Sequence, residues 1–255
     1  MIEKVGIIGV GHAASFLVNG FRNASQDLEI ILSPRNVIRS AKLATQFKAS
    51  VVNNNQSVVD TSDLVILSTR PNDTIQVVNE INFRSNHIVI SIAAGLKLKA
   101  LVPAISPATV VRAMPISCAA INQSPTLLYP DHPVARELLS FVGQVHILPD
   151  ESLFTRATVL AAFYAWVFSL LDQTISWTAK TGISKSLARN IVLETVRGVV
   201  NIALTKQDEE FASILSTLTT SGGITELGLN VLEQQQGLSA WIEALETVYN
   251  HLSLI

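Results

Sequence analysis

A single cysteine among 255 residues, Cys118, leaves no partner for a disulfide and too few thiols for a cysteine-rich metal site. The five histidines (His12, His87, His132, His146 and His251) lack metal-ligand spacing, so no metal site is expected. Charge is also scarce. Only 15% of residues are charged and the net charge is −2, which gives no electrostatic footprint for nucleic acid. Long hydrophobic runs are missing as well: the longest, Val159–Leu171 (VLAAFYAWVFSLL), is interrupted by Ser169. It falls short of the about 20 residues that a membrane-spanning helix needs. A buried or subunit-interface helix is therefore expected, with no membrane partner. The opening MIEKVGIIGVG carries acidic and basic residues before a short β-like run and shows no cleavage pattern, so no signal peptide is expected. What the chain has in excess is apolar character, 48% hydrophobic with a mean hydropathy of +0.38. For a soluble, cytoplasmic protein that excess points to extensive burial between subunits.

Two textures divide the chain near Pro149. Before it, short β-branched runs alternate with helical patterns: VGIIG (5–9), LEIILS (28–33), SVVN (50–53), LVILST (64–69), HIVISI (87–92), TVVRAM (109–114), PTLLYP (125–130) and VHIL (145–148). Amphipathic stretches such as NVIRSAKLATQF and NDTIQVVNEI lie between them. Strands alternating with helices at this spacing predict a parallel, doubly wound α/β sheet. The last two strands, separated by a short helix, can run differently. After Pro149 there is no further proline and no convincing strand. The 3.6-residue periodicity predicts helices over 151–181, 184–206, 208–218, 223–235 and 237–252, with Ser184 as an N-cap and Gly182 as a stop. The expected organisation is an α/β domain over 1–150 and an all-α domain over 151–255.

The first strand runs into Gly9-Val10-Gly11-His12-Ala13-Ala14, a dinucleotide fingerprint in its G-x-G-x-x-A form. Gly9 permits a tight turn, Gly11 lets backbone approach a pyrophosphate, and Ala14 is small enough for close helix–strand packing. The helix that opens there turns its unpaired amides, those of His12 and Ala13 first, toward the phosphates. An NAD site commonly carries Asp or Glu at the end of the second strand, for the ribose 2′-hydroxyl. Here Ser33-Pro34-Arg35-Asn36 stands instead, a hydroxyl, a guanidinium and an amide suited to a 2′-phosphate. Arg39 and Lys42 add positive charge further along. NADP is the expected cofactor, with NADPH preferred over NADH. Later strand ends complete the expected cofactor set: Asn55, then Ser68, Thr69, Arg70 and Pro71, then Ala94 and Gly95.

In order along the chain, GVGHAA, LSTRP, SIAAG, VRAMPIS and TTSGGIT with GLNVLE resemble GxGNMA, LAVKP, SIAAG, VRVMPNT and SPGGTT with GLxxLE of the pyrroline-5-carboxylate reductase family. The resemblance runs across nearly the whole chain. It implies an N-terminal Rossmann domain and a C-terminal all-α dimerisation domain, in a homodimer or higher homo-oligomer. It also implies NADPH-dependent reduction of the C=N bond of a cyclic imine, a small-molecule substrate. Met114 and Pro115 join the cofactor-binding set. Thr220, Ser221, Gly222 and Gly223 would bind the substrate: glycines before a helix leave amides uncovered for an anion such as a carboxylate. Thr225 would sit near the imine nitrogen as the catalytic hydrogen-bond or proton donor.

Several positions depart from that pattern. The family's SGSGPAY is matched by AAFYAW at 161–166, bulkier and without serine, glycine or proline. Ile116 replaces an asparagine, Ile224 a threonine, and Glu226 an apolar residue beside the turn, where it can repel a substrate carboxylate. The departures lie on the substrate side, while the cofactor side stays largely intact. Two alternatives remain open from the residues: a catalytically degenerate NADP-binding protein of the same fold, or a reductase of a different, non-imine acceptor such as a hydroxyacid or deazaflavin.

Overall fold

A computed structural model describes residues 2–254. Eight strands form one sheet: β1 (Lys4–Ile8), β2 (Glu29–Leu32), β3 (Ser50–Val51), β4 (Leu64–Leu67), β5 (Ile88–Ser91), β6 (Thr109–Met114), β7 (Thr126–Tyr129) and β8 (Val145–Ile147). Their spatial order is β3-β2-β1-β4-β5-β6-β7-β8. Neighbours from β3 to β6 are parallel, β7 is antiparallel to β6, and β8 is parallel to β7. The doubly wound parallel pattern thus holds through β6 and reverses for the last two strands. The link from Met114 to Thr126 holds only a 3₁₀ turn, Ser117–Ile121, which is too little for the helical crossover that a parallel return needs.

The register explains where a ligand can bind. Ile7 pairs with Leu32 and Ile8 with Leu67, so β1, β2 and β4 end at the same level. The segments after them meet at one edge, where the strand order changes direction about β1. The strands are apolar on both sides because helices cover both faces. Val5 and Ile7 point into a core with Leu17, Val18 and Phe21 of helix α1 (His12–Ala24) and Leu43 of α2 (Val37–Phe47). Ile8, Val65 and Leu67 point the other way, toward Val58 and Val59 of α3 (Asn55–Asp60), Val78 of α4 (Pro71–Asn79) and Leu101 of α5 (Leu98–Ile105). Helix α6 (Pro133–Ser140) adds Leu138 and Leu139 to the first core.

A buried cation ties this frame to α7 (Glu151–Thr158). Arg112 in β6 is 1% exposed, and its Nη1 donates to Glu151 Oε1 at 2.8 Å. Its guanidinium carbon lies 4.6 Å from the Phe154 ring centroid. The same Glu151 oxygen accepts from Leu98 N at 2.7 Å and so caps α5, whose own N-cap, Lys97, offers no side-chain bond. Burial pushes the Arg112 pKa down, and the hydrogen bond and charge of Glu151 oppose that shift.

The chain divides into two compact units, one of Met1–Ala161 with Tyr249–Ile255 and one of Ala162–Val248. The second is built from helices α8 (Leu160–Lys180), α9 (Lys185–Thr205), α10 (Phe211–Leu218), α11 (Ile224–Gln234) and α12 (Gly237–Leu254), the first and last of which also run into the sheet unit. Its small core is Ile175, Ala188 and Val192, with Leu171, Ala179 and Ile183 packed against it. Helices α10 and α11 bury no side chain, although both are strongly apolar on one side. Phe163, Trp166 and Trp241 meet edge to face, while Phe168, Trp177 and Phe211 are exposed. The expected helix over 151–181 breaks at Val159, between α7 and α8. By length and composition alone, Glu151–Lys180 suffices to cross a membrane; its most apolar 18-residue window has a mean hydropathy of 1.5 and is 22% buried. Apolar surface on this scale marks an interaction face.

Candidate active site

Three segments build a cleft of about 900 Å³ at the edge where β1, β2 and β4 end. The first is the fingerprint turn. Gly9 has φ +93°, which L side chains rarely adopt, and a Cβ there would lie 2.7 Å from the backbone of Ser68 and Thr69. Packing of the β4–α4 connection on the β1 turn therefore requires this glycine. Gly11 is different. Its φ of −98° suits any residue, and a Cβ would meet no protein atom within 4 Å. Nothing in the fold requires glycine there, and its open side borders the cleft. Gly11 is also the N-cap of α1 and makes no side-chain cap, so the amides of the first turn at His12 and Ala13 stay available to an anion. Ala14 is fully buried and packs the helix onto the sheet.

The second segment follows β2. Ser33 is fully buried, and its Oγ accepts from Gly9 N at 3.0 Å while its carbonyl accepts from Ser40 Oγ at 2.9 Å. The sequence reading set this hydroxyl on a 2′-phosphate; the structure turns it inward, where it fixes the fingerprint turn to β2. Asn36 caps α2, its Oδ1 accepting from Arg39 N at 3.2 Å. Arg35 is largely exposed and lies 3.6 Å from Asp73. Arg39 Nη2 lies 3.2 Å from His12 Nε2, and since a guanidinium can only donate, the imidazole nitrogen accepts. Val37 and Ile38, 73% and 85% exposed, present an apolar ledge at the same mouth.

The third segment follows β4. Thr69 donates to Thr74 Oγ1 at 2.7 Å, because Thr74 spends its own hydrogen on Arg70 O at 2.9 Å. Pro71 opens α4 at its first turn, where a missing N–H costs nothing. Ser68 Oγ is buried and has no partner among the described residues, yet Ser68 lines the cleft. An orphaned hydroxyl beside uncapped amides and three arginines is a donor set that fits a phosphorylated nucleotide.

The cleft unites Gly9, Gly11, His12, Ala13, Arg35, Asn36, Ser68, Thr69 and Arg70 from the sequence-derived set. Asn55, Ala94, Gly95, Met114 and Pro115 do not line it. Gly95 forms a left-handed turn, φ +80°, after β5. Met114 instead borders a separate apolar pocket of about 250 Å³, with Ile116, Leu127, His146, Leu160 and Ala161. Sequence reasoning missed the ledge and Asp73, which lines the cleft 3.6 Å from Arg35. Two apolar residues directly after an N-cap, where a helix normally turns polar groups outward, were the available signal for Val37 and Ile38.

The hydroxyl-rich turn belongs to the second unit. Gly222 has φ +73° and Gly223 caps α11 without a side chain. Gly223 N donates to Thr220 O at 2.9 Å, closing the turn. Gly222 N donates to Glu226 Oε2 at 2.7 Å. Thr225 and Ser221 are exposed, and neither side chain makes a hydrogen bond among the described residues.

Two family models match the chain. Residues 4–95 match one described as NADP oxidoreductase coenzyme F420-dependent, and residues 151–253 one described as pyrroline-5-carboxylate reductase dimerisation. A curated relative, the pyrroline-5-carboxylate reductase of Pseudomonas aeruginosa, is 29% identical over 252 residues, spanning 94% of this chain and 92% of that protein. The solved 1-pyrroline-5-carboxylate reductase of Streptococcus pyogenes superposes with a TM-score of 0.88 at 26% identity, over 99% of this chain and 98% of that one. The pyrroline carboxylate reductase of Plasmodium falciparum, solved with NADP bound, shares the fold with a TM-score of 0.88 at 21% identity, over 98% and 97%.

Proposed function

We propose that the chain is a member of the pyrroline-5-carboxylate reductase family, an NADPH-dependent oxidoreductase that reduces the C=N bond of a cyclic imine, pyrroline-5-carboxylate to proline or a related imine; the dimerisation model matched over residues 151–253 and a relative 29% identical over 94% of the chain support the reading. The observation that carries the reading is the cleft itself: a glycine that the fold does not require, uncapped amides and an orphaned Ser68 hydroxyl, facing one another where β1, β2 and β4 end. When bound, the reduced nicotinamide supplies a hydride to the imine carbon.

The residues of this chain bind and orient. The amides of His12 and Ala13 take the pyrophosphate, held in place by Gly9 and Gly11. Arg35, Asn36 and Arg39 take the 2′-phosphate, and the Val37–Ile38 ledge takes the base. Ser33 and Ala14 position the turn from beneath. With no carboxylate at the end of β2 to bind a free 2′-hydroxyl, NADPH is favoured over NADH. Ser68, Thr69 and Arg70 line the path onward, and Asn55, Pro71, Ala94, Gly95, Met114 and Pro115 shape the remainder of the cofactor site. Thr220, Ser221, Gly222 and Gly223 hold the acceptor, and Thr225 Oγ1, which makes no other hydrogen bond among the described residues, donates to the nitrogen lone pair that forms as hydride arrives. An iminium is already electrophilic, so positioning supplies much of the catalysis. The bare faces of α10 and α11 are covered in a homodimer or higher homo-oligomer, and the protein works as a soluble cytoplasmic enzyme.

The test is NADPH oxidation by the purified protein with cyclic imines, with NADH run in parallel. Imine-dependent oxidation that favours NADPH is expected. Tight NADPH binding without turnover of any cyclic imine would refute the assignment.

A further inference from the structure

We propose that Asp73 sets how sharply the cleft discriminates between NADPH and NADH: its carboxylate accepts from the free ribose 2′-hydroxyl of NADH, and it draws Arg35 away from the 2′-phosphate of NADPH. This rests on the reading of the nucleotide cleft above and names a specificity-determining residue within it.

Of the described residues that line the cleft, Asp73 is the one carboxylate, set among Arg35, Arg39 and Arg70. It stands in the first turn of α4, where the positive end of the helix favours a negative charge. Its side chain is 40% exposed, and among the described residues its carboxylate accepts no hydrogen bond. The 3.6 Å to Arg35 Nη1 makes an ion pair that is too long for a hydrogen bond. The side-chain acceptors contributed by the β2–α2 segment and by α1 are committed. Asn36 Oδ1 accepts from Arg39 N, His12 Nε2 accepts from Arg39 Nη2, and Ser33 Oγ is buried against Gly9 N. Asp73 thus supplies an open carboxylate at a mouth otherwise rich in donors.

The two nucleotides differ in what they offer that carboxylate. The ionised 2′-phosphate of NADPH only accepts, so it takes Arg35 and meets repulsion from Asp73. The 2′-hydroxyl of NADH donates, and a carboxylate is the group that NAD sites use for it. Those sites carry it at the end of the second strand, where this chain has Ser33-Pro34-Arg35-Asn36. Here the carboxylate reaches the same cleft from α4, beyond the end of β4. Arg35, whose side chain is 71% exposed, has the room to exchange one partner for the other. NADPH must part the Asp73–Arg35 pair, whereas NADH binds with the pair in place. The arginines keep NADPH the preferred nucleotide, and Asp73 makes that preference shallower than the arginines alone would set it.

The experiment titrates the full chain with NADPH and NADH by nicotinamide fluorescence, in the natural protein and in Asp73→Asn and Asp73→Ala. Calorimetry with adenosine 2′,5′-bisphosphate and 5′-AMP, which differ only in the 2′-phosphate, gives a readout independent of the nicotinamide and of turnover. Asparagine keeps the shape of the side chain and guards against misfolding of the alanine variant. Asp73→Asn should bind NADPH and the bisphosphate about three- to tenfold more tightly, and NADH and 5′-AMP about three- to tenfold more weakly. Asp73→Ala, which leaves no acceptor, should lose NADH at least as far. A distorted start of α4 would move both nucleotides in the same direction, so opposite signs identify specificity rather than support. Changes of one sign for both nucleotides, as a contact to their shared 3′-hydroxyl would give, or affinities unmoved in both variants, overturn this inference and leave the imine reductase standing. A natural protein that binds neither NADPH nor NADH overturns both.

Discussion

Replacing Gly11 with alanine separates what the fold needs from what the ligand needs. The added methyl meets no protein atom within 4 Å, and the backbone, φ −98° and ψ −160°, is open to any L residue. The cost to stability is limited to a poorer helix cap, about 0.5–1 kcal/mol. The same methyl protrudes where a pyrophosphate approaches the α1 amides. Overpacking by one methyl costs about 1–3 kcal/mol, which weakens nucleotide binding by about five- to 150-fold. Gly9→Ala is the control with the opposite signature. Its methyl would lie 2.7 Å from backbone at φ +93°, so strain and overpacking together cost about 2–5 kcal/mol of stability. Urea denaturation and NADPH titration, run on both variants, give the four numbers required. Gly11→Ala should denature like the natural protein and bind NADPH poorly. Natural affinity in Gly11→Ala would refute the placement of a pyrophosphate at this turn.

Arg35→Ala should weaken NADPH by about five- to tenfold, a charge-assisted bond reduced by solvent screening, and NADH by less than about twofold; equal losses for both would remove Arg35 from the 2′-phosphate. Asp73→Asn, which frees Arg35 from its 3.6 Å partner, should act in the opposite direction. Thr225→Ala should lower kcat by at least about tenfold with NADPH affinity unchanged, and undiminished turnover would take Thr225 out of the mechanism. Glu151→Ala strands a buried guanidinium and should cost about 3–5 kcal/mol in denaturant, much of it recovered when Arg112→Met is added. Burial first, and then the charge of Arg84, hold the His87 pKa below 6.5, with Asp60 opposing. The unfolded chain therefore binds that proton more readily. The contribution of His87 to stability is present above about pH 6.5 and is lost as pH falls from there through the lower folded value. His87→Gln should flatten melting temperature across that window, and an unchanged slope would reassign the acid sensitivity.

The sheet was readable because each strand is an apolar run between turn residues, and eight such runs became eight strands. The direction of β7 was not readable, since strand periodicity is the same in either direction; only the short link after Met114 decides it. The fingerprint glycines were legible because their spacing after a strand is a local pattern, although the contact that demands Gly9 comes from Ser68 and Thr69 on another strand end. Ser33 was not. A hydroxyl at the end of β2 can face a phosphate or the neighbouring turn, and its bond to Gly9 N crosses from one strand to another. Arg112 left a signal, one arginine inside TVVRAM, but its partner Glu151 lies far along the chain. In the second unit the helices were legible and their purpose was not, because what covers α10 and α11 is not part of this chain's own packing. The Glu226–Gly222 bond spans a single helical turn, and the sequence showed both residues without showing that one occupies the other.

The central claim is that hydride passes from a bound nicotinamide nucleotide to the carbon of a cyclic imine. NADPH deuterated at C4 of the nicotinamide, on each face in turn, tests it most directly, with the amine product read by mass spectrometry. The account predicts one deuterium on the former imine carbon from one of the two faces. Amine formed without deuterium from either face, or no amine from any cyclic imine while NADPH is bound, would contradict it.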